Sequence, residues 1–147
     1  MKLGKKILLL LLLAVFLLPA LSRGEEYSGY GNPVTIVTLG QVKVKAEVVS
    51  TPEKVYLGLG NRKELPPGRG MLFVLPHLEV QVFCMRGMQF PLDLLWLRSG
   101  RVVGLDLNIS PNFPGEIISP VPVQYVLEVP AGFCQRQGIK VGTPVSW

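Results

Sequence analysis

The chain has 147 residues and 48% of them are hydrophobic, which excludes a disordered protein and predicts one domain with a sizeable core. Lys and Arg number 15 and Asp and Glu number 10. Three of the lysines lie within the first 22 residues, which hold no acid, so the rest of the chain carries 12 minus 10, or +2. A charge this small, with no basic cluster, argues against nucleic acid as a partner.

The N-terminus has the pattern of an export signal. Three lysines precede an apolar run from Ile7 to Leu18, which is too short to span a bilayer comfortably. Ala20 and Ser22 put small residues at the positions that a signal peptidase reads. We therefore expect residues 1–22 to be a cleaved signal and the protein to be exported, whether periplasmic, extracytoplasmic or secreted. The alternative is an uncleaved anchor, which would then be the protein's one membrane contact.

The segment after the signal predicts a leader and then a hairpin. Residues 23–33 contain Gly, Ser, Tyr and Glu without a period, as in a flexible leader. From Val42 to Val49, apolar residues alternate with Lys and Glu, the pattern of a half-buried strand. The run Val34–Leu39 predicts the strand before it, so the two should pair as an antiparallel hairpin. A single β-rich domain is expected over 34–147.

Two short helices interrupt the predicted strands. Thr51 is a suitable cap and Pro52 suits the first helical position, so a helix should begin there and end at Gly60, with Tyr56 on its buried side. A second helix is expected over Phe133–Gln137. Apolar runs of strand length predict the remaining strands, at 71–75, 79–85, 93–97, 102–109 and 123–129. The predicted fold class is therefore mainly β (α+β).

Charges interrupt the apolar runs at one place in the chain. Segments 79–85 and 93–97 predict the two arms of a central hairpin. Arg86 falls in phase with the inward face of the first arm, and Asp93 falls in phase with that of the second. An unpaired buried charge costs several kcal/mol. We therefore expect Arg86 and Asp93 to face one another as an ion pair.

The cysteines and the histidine give little sign of chemistry. Cys84 and Cys134 are not in a C-x-x-C pattern and His77 is the one histidine, so the sequence predicts no metal site. Cys84 is in phase with the inward face of its strand. Two interpretations stay open: two buried free thiols, or a disulfide, which an oxidising compartment would allow. A disulfide would close a loop of about fifty residues and stabilise the protein by about 4 kcal/mol.

Four segments resemble the domain-of-unknown-function 192 (DUF192) family: Arg69–Phe73, Met85–Asp93, Tyr125–Gly132 and Gly138–Gly142. The resemblance implies a compact, barrel-like domain with one or two short helices, which with the predicted hairpins gives an antiparallel sheet. It implies no established activity, substrate or cofactor. The chain departs from the family pattern where Cys84–Gly87 replaces the usual Trp-Met-Lys-Asn, and where Gly60 replaces a Met.

These patterns favour a binding module of the cell envelope over an enzyme. Arg86 and Asp93, with Arg69 nearby, would hold a small anionic ligand below the proline-rich loop 110–122. The bland alternative is an ion pair that only fixes the register of the hairpin. No base is positioned beside a Ser or Cys and no glycine-rich phosphate loop is present, so we expect neither catalytic residues nor a cofactor. A scaffold for another envelope protein, acting through an exposed strand edge or that loop, is the second hypothesis.

Overall fold

The computed structural model describes residues 24–147, so the expected export signal at 1–22 lies outside the described residues. Within this range the chain forms nine strands and two short helices. In chain order these are β1 (Val34–Leu39), β2 (Val42–Val49), α1 (Pro52–Leu57), β3 (Arg69–Glu79), β4 (Val82–Phe83), β5 (Leu92–Arg98), β6 (Arg101–Ile109), β7 (Ile117–Ile118), β8 (Val123–Pro130), α2 (Phe133–Gln137) and β9 (Val145–Ser146). The described part contains no helix that is both long and apolar enough to cross a membrane.

Seven strands form one curled sheet in the order β6-β5-β8-β3-β2-β1-β9, a half-barrel. Its two edges meet at one end, where the Val102 N–H donates to the Thr143 carbonyl (3.0 Å) and the Val145 N–H donates to the Gly100 carbonyl (2.8 Å). The predicted barrel-like, mainly β fold with two short helices is confirmed. One pair, β2 with β3, is parallel, because the connection through α1 returns the chain to the same end of the sheet.

Both faces of the sheet are covered, which divides the core in two. The inner core fills the curl of the sheet, and the outer core lies under α1, β4, β7 and their loops. Strand β5 contributes to both cores and is buried from Leu92 to Leu97. The largest fully buried side chains of the inner core are Leu39, Leu72, Leu95, Leu97 and Leu127, and those of the outer core are Leu59, Met71, Phe73, Leu92, Leu94 and Trp96.

The predicted central hairpin is wrong. β3 continues through the expected turn at Pro76, and β4 pairs with β7 in a separate two-stranded ribbon. β5 pairs instead with β6 and β8. The reason is that β5 is apolar on both faces, so it is most stable in the middle of a sheet with a strand on each side.

The side chains of the first predicted arm also face the opposite way from the prediction. Phe83 and Met85 point towards the outer core, whereas Val82 and Cys84 are exposed. The Phe83 ring lies edge-on to Phe73, with centroids 5.1 Å apart. Since a strand exposes alternate residues, only one set can be buried, and the larger Phe and Met remove more apolar surface from water.

The leader contacts the domain rather than extending away from it. The Ser28 hydroxyl and the Asn32 amide donate to the Glu47 carboxylate at 2.9 and 2.7 Å, and Arg62 donates to it at 2.6 Å. Burial alone would raise the pKa of Glu47, but the hydrogen bonds from Arg62, Asn32 and Ser28 outweigh it and lower the pKa. This buried network joins the leader to β2.

Candidate functional site

The three residues predicted to bind a ligand lie in three different places. Asp93 is fully buried on the inner face of β5. Arg86 is exposed on the loop after β4, and Arg69 is exposed at the start of β3. Within residues 24–147 the ion pairs are Lys45–Glu26 and Arg62–Glu47. The predicted pairing of Arg86 with Asp93 is therefore wrong.

The Asp93 carboxylate has its own partners in the backbone. The Asn108 N–H donates to Oδ1 at 2.8 Å, and the Cys134 N–H donates to Oδ2 at 2.9 Å. Hydrogen bonds to a charged acceptor are about twice as strong as neutral ones. The carboxylate therefore connects β5 to the end of β6 and to the start of α2. Its position indicates a structural role.

Of the two interpretations left open for the cysteines, the disulfide is absent from the structure. Cys84 and Cys134 are both free thiols, the first exposed beside the outer core and the second fully buried in the inner core. The two cores lie on opposite faces of the sheet, so the sulfurs are separated by it. Burial, and next the nearby Asp93 carboxylate, raise the pKa of Cys134 to about 12, so this thiol stays neutral.

Arg69 lines a cleft of about 390 Å³ between the leader and β2. Lys45 and Glu47 lie in the same cleft, but each is already in an ion pair with another residue. The Arg62 guanidinium stacks on the Tyr30 ring at 3.7 Å from its centroid. Basic and acidic side chains balance along this surface, so the cleft shows no preference for an anion.

Arg86 is the predicted site residue that retains an open position. Its guanidinium lies over the Tyr56 ring, 4.0 Å from the centroid, and no carboxylate of the described residues pairs with it. Tyr56 was expected on the buried side of α1, but this is wrong: it is 72% exposed and contacts the guanidinium instead. On one side of Arg86 lies a groove of about 410 Å³, formed by segments 84–87 and 111–115. The predicted proximity of Arg86 to the proline-rich loop is therefore found.

On the other side of Arg86 lies a smaller hollow of about 50 Å³. Glu128 is the one carboxyl that lines it, and this residue is 6% exposed. No hydrogen bond joins its carboxyl to the described residues, and its oxygens are not fully enclosed, since the fully buried side-chain oxygen without a partner in that range is Asn32 Oδ1. Burial raises the pKa of Glu128 to about 8, so the carboxyl carries its proton at neutral pH. The other lining residues are Val55–Gly60, Phe73, Phe83, Cys84, Arg86 and Met88.

Strand register places Glu128 in this hollow. In β8 it lies between Met71 of β3 and Leu94 of β5, so its side chain points to the outer core. Beside it, the rings of Phe73, Phe83 and Trp96 form an aromatic wall. The centroids of the Phe83 and Trp96 rings are 5.6 Å apart. The carboxyl therefore lies among apolar groups, which explains its proton affinity.

Two glycines line this hollow, and neither has a side chain that would fill it. At Gly58, which has φ +50°, a Cβ atom would lie 3.3 Å from the Phe73 ring. At Gly60 a Cβ atom would lie 2.9 Å from the Leu57 carbonyl oxygen. Larger residues at these positions would disturb the contact between the end of α1 and the aromatic wall.

The sequence prediction missed Glu128. We predicted a strand over 123–129 and gave Glu128 no role in it. The signal was Val126, an apolar neighbour on the same face as Glu128, which indicated that β8 is covered on both sides. A single acid in such a strand indicates a buried carboxyl. Across residues 24–147, no three His, Cys, Asp or Glu side chains are grouped so that they could hold a metal.

Two solved structures resemble this fold. One is a protein of unknown function from Novosphingobium aromaticivorans, with a TM-score of 0.80, 26% identity and coverage of 86% of this chain and 94% of that chain. The other is a putative transcription regulator from Sinorhizobium meliloti, with a TM-score of 0.69, 27% identity and coverage of 82% and 88%. No curated protein matches significantly.

The sequence profile of one family covers most of the chain. Residues 35–147 match DUF192, described as "Uncharacterized ACR". The matched range contains all nine strands and both helices of the described residues apart from the first residue of β1. The resemblance carried by the four sequence segments is thus confirmed, and the chain belongs to the DUF192 family.

Proposed function

We propose that this protein is an exported, non-catalytic module of the cell envelope that binds a small anionic ligand at Arg86. The observation that carries the proposal is an exposed guanidinium, unbalanced by any described carboxylate and set between a groove and a hollow. A guanidinium presents a planar fork of N–H donors that matches a carboxylate or phosphate in a bidentate contact.

The surroundings of Arg86 favour binding because they hold the guanidinium in place. The cation–π contact with the Tyr56 ring, 4.0 Å from its centroid, holds the guanidinium, and no described carboxylate occupies its N–H donors. A side chain that is already oriented loses less conformational entropy when a ligand binds. The groove formed by segments 84–87 and 111–115 offers space for the rest of the ligand.

The residues around Arg86 give little support for catalysis at this site. The carboxyl beside Arg86 carries a proton at neutral pH, so it is a weak base. His77 is exposed and lines neither the groove nor the hollow, so it does not serve Cys84 as a base. A residue set of this kind orients a ligand more readily than it transforms one.

Thermal shifts of the purified protein test the proposal. Acetate, succinate and inorganic phosphate at millimolar concentration should include one that raises Tm by a few degrees through preferential binding to the folded state. Arg86→Gln should lose that shift, and Arg98→Gln, which changes an exposed arginine outside the groove and hollow, should keep it. No shift with any anion, or an unchanged shift in Arg86→Gln, would contradict the proposal.

Export rests on the N-terminal sequence and has its own test. A fusion of residues 1–33 to alkaline phosphatase, which is active only outside the cytoplasm, should be active. Release of the mature protein into the soluble extracytoplasmic fraction would indicate cleavage, whereas membrane retention would indicate an anchor. An inactive fusion would contradict export.

A second candidate function is docking of another envelope protein. The β4–β7 ribbon exposes an apolar surface in which Val82 lies opposite Ile118, each 54% exposed, with Leu78 and Val80 beside them. Exposed apolar patches of this kind can mark protein interfaces. A photo-crosslinker at position 82 should then capture one defined partner, which Ile118→Lys abolishes. Equal capture from the exposed position Lys140 would contradict docking at this ribbon.

A further inference from the structure

We propose that the hollow at Glu128 is a second subsite that binds a primary ammonium, so that the ligand of this protein is a small zwitterion with its carboxylate on Arg86. This inference rests on the proposed function, because it assigns the second half of the same ligand. Both Arg86 and Glu128 line the hollow, on an exposed loop and a buried strand respectively.

The hollow offers one carboxyl and one guanidinium to a ligand. Glu128 is 6% exposed, and no hydrogen bond joins its carboxyl to the described residues. An ammonium has three donors and no acceptor, so it complements the carboxylate of Glu128. A ligand carboxylate is complemented instead by the N–H donors of Arg86.

The size of the hollow admits the end of a small ligand. Its volume of about 50 Å³ exceeds the roughly 10–15 Å³ that one water molecule requires, so a terminal ammonium has room there. Arg86 lines both this hollow and the groove, so a ligand whose ammonium is at Glu128 can place its carboxylate on the guanidinium.

Ammonium binding would also ionise Glu128. Without a ligand its burial keeps the carboxyl protonated, and an adjacent cation favours the carboxylate. One proton then leaves the carboxyl for solvent, and an ion pair forms beside the Phe73 and Phe83 rings, whose faces also attract cations. The other ionisable side chains around the hollow are Tyr56, Cys84 and Arg86. Affinity should therefore rise with pH until Glu128 is ionised in the free protein.

The experiment uses a series of amino acids in which the distance between ammonium and carboxylate increases. The probes are glycine, β-alanine, 4-aminobutyrate and 6-aminohexanoate, with propionate as the acid alone and propylamine as the amine alone. NMR titration of the purified protein measures Kd for each. One amino acid should bind at least about tenfold more tightly than either single-group probe, equivalent to about 1.4 kcal/mol.

Matched variants assign each half of the ligand. Glu128→Gln keeps the shape of the side chain but cannot ionise, so its affinity for the best amino acid should fall to that of propionate. Arg86→Gln should reduce the same affinity to that of propylamine. Arg98→Gln, outside the groove and hollow, should bind like the natural protein. A measurement on the natural protein does not depend on whether a variant folds. Its affinity for the best amino acid should increase about tenfold per pH unit below pH 8.

The outcomes separate this inference from the proposed function. If propionate binds as tightly as every amino acid, through Arg86 and independently of pH, the ammonium subsite is refuted and the anion site stands. If propylamine binds as tightly as the amino acids, the zwitterion is refuted. If no probe binds, both proposals fail for this class of ligand.

Discussion

Asp93 and Glu128 are buried carboxyls on adjoining strands, yet they differ in their hydrogen-bond partners. Asp93 lies on the inner face of β5 and accepts two backbone hydrogen bonds. Glu128 lies on the outer face of β8, opposite Leu94, and accepts none from the described residues. Both residues are buried, Asp93 fully and Glu128 to all but 6%, but their hydrogen bonding differs, which separates a structural carboxylate from one that is available to a ligand.

The comparison teaches that burial of an acid does not define its role. A buried carboxyl is satisfied where donors replace the lost water, as the Asn108 and Cys134 N–H groups do at Asp93. Where they do not, the group takes up a proton, as burial makes Glu128 do. Four variants can break or sharpen this contrast, and the three that lose stability follow from the largest expected loss to the smallest.

Asp93→Asn should destabilise the protein most. Asparagine has an NH₂ group in place of one carboxylate oxygen, and this group would face a backbone N–H. One buried N–H donor would therefore lose its acceptor, and the charge that strengthens both hydrogen bonds would be removed. We expect a loss of about 4 kcal/mol in the free energy of unfolding. Urea denaturation measures it, with the exposed Glu79→Gln as a control that should change by less than about 0.5 kcal/mol. A loss no larger than the control's would end the structural assignment of Asp93.

Arg62→Ala should cause the next largest loss. It leaves the Glu47 carboxylate without the partner that donates at 2.6 and 3.0 Å, although Ser28 and Asn32 remain. The expected loss is about 3 kcal/mol near pH 7. Because the folded protein lowers the pKa of Glu47, this stabilisation is present above the unfolded pKa and disappears as pH falls through the folded pKa.

The pH profile of unfolding for natural protein and Arg62→Ala measures this effect. The two curves should converge as the solution becomes acidic. Curves that remain parallel at every pH would show that the loss comes from packing of the Arg62 side chain and not from its charge.

Glu128→Gln should stabilise the protein, but only at higher pH. The folded pKa is raised to about 8, so the folded state binds a proton that the unfolded state has released. The free energy of unfolding of the natural protein therefore falls as pH rises from the unfolded pKa to about 8 and is level above that. The variant should match the natural protein near pH 4 and exceed it by about 5 kcal/mol at pH 9, since each pKa unit between 4.5 and about 8 is worth about 1.4 kcal/mol. Denaturant midpoints across pH would contradict this if the two curves coincided throughout.

Arg86→Gln should change stability least. The guanidinium is exposed and stacks on Tyr56, a contact of about 0.5 kcal/mol at a surface. We expect Arg86→Gln to reduce ligand binding instead, and the thermal-shift comparison measures that loss. A loss of about 3 kcal/mol on denaturation would instead indicate a buried ion pair, which the contacts of Arg86 do not include.

Local patterns predicted much of the fold. Alternation located β2, and apolar runs located β1, β6 and β8. Thr51 caps α1 as predicted, since its hydroxyl accepts from the Lys54 N–H at 3.4 Å. These features depend on neighbouring residues, and their signal is local. The pairing of β5 was not predictable in this way, because a strand that is apolar on both faces fits several positions in a sheet.

The candidate site was predictable in part. Arg86 and its proximity to the proline-rich loop followed from the sequence, but the partner assigned to it did not. Choosing between Asp93 and Tyr56 required the face on which each side chain lies, and a shift of one residue reverses that face. Glu128 was missed because the outer core that covers it comes from segments distant in sequence, among them α1 and β4.

The protonation of Glu128 tests the central claim most directly. Carboxyl ¹³C NMR, with Glu128→Gln to assign the resonance, would follow its titration with and without the amino acid that binds most tightly. We predict a pKa of about 8 in the free protein and a lower value with the ligand bound. A titration near the ordinary value of about 4.5 in the free protein, unchanged by any probe, would show a solvated carboxylate and contradict the account.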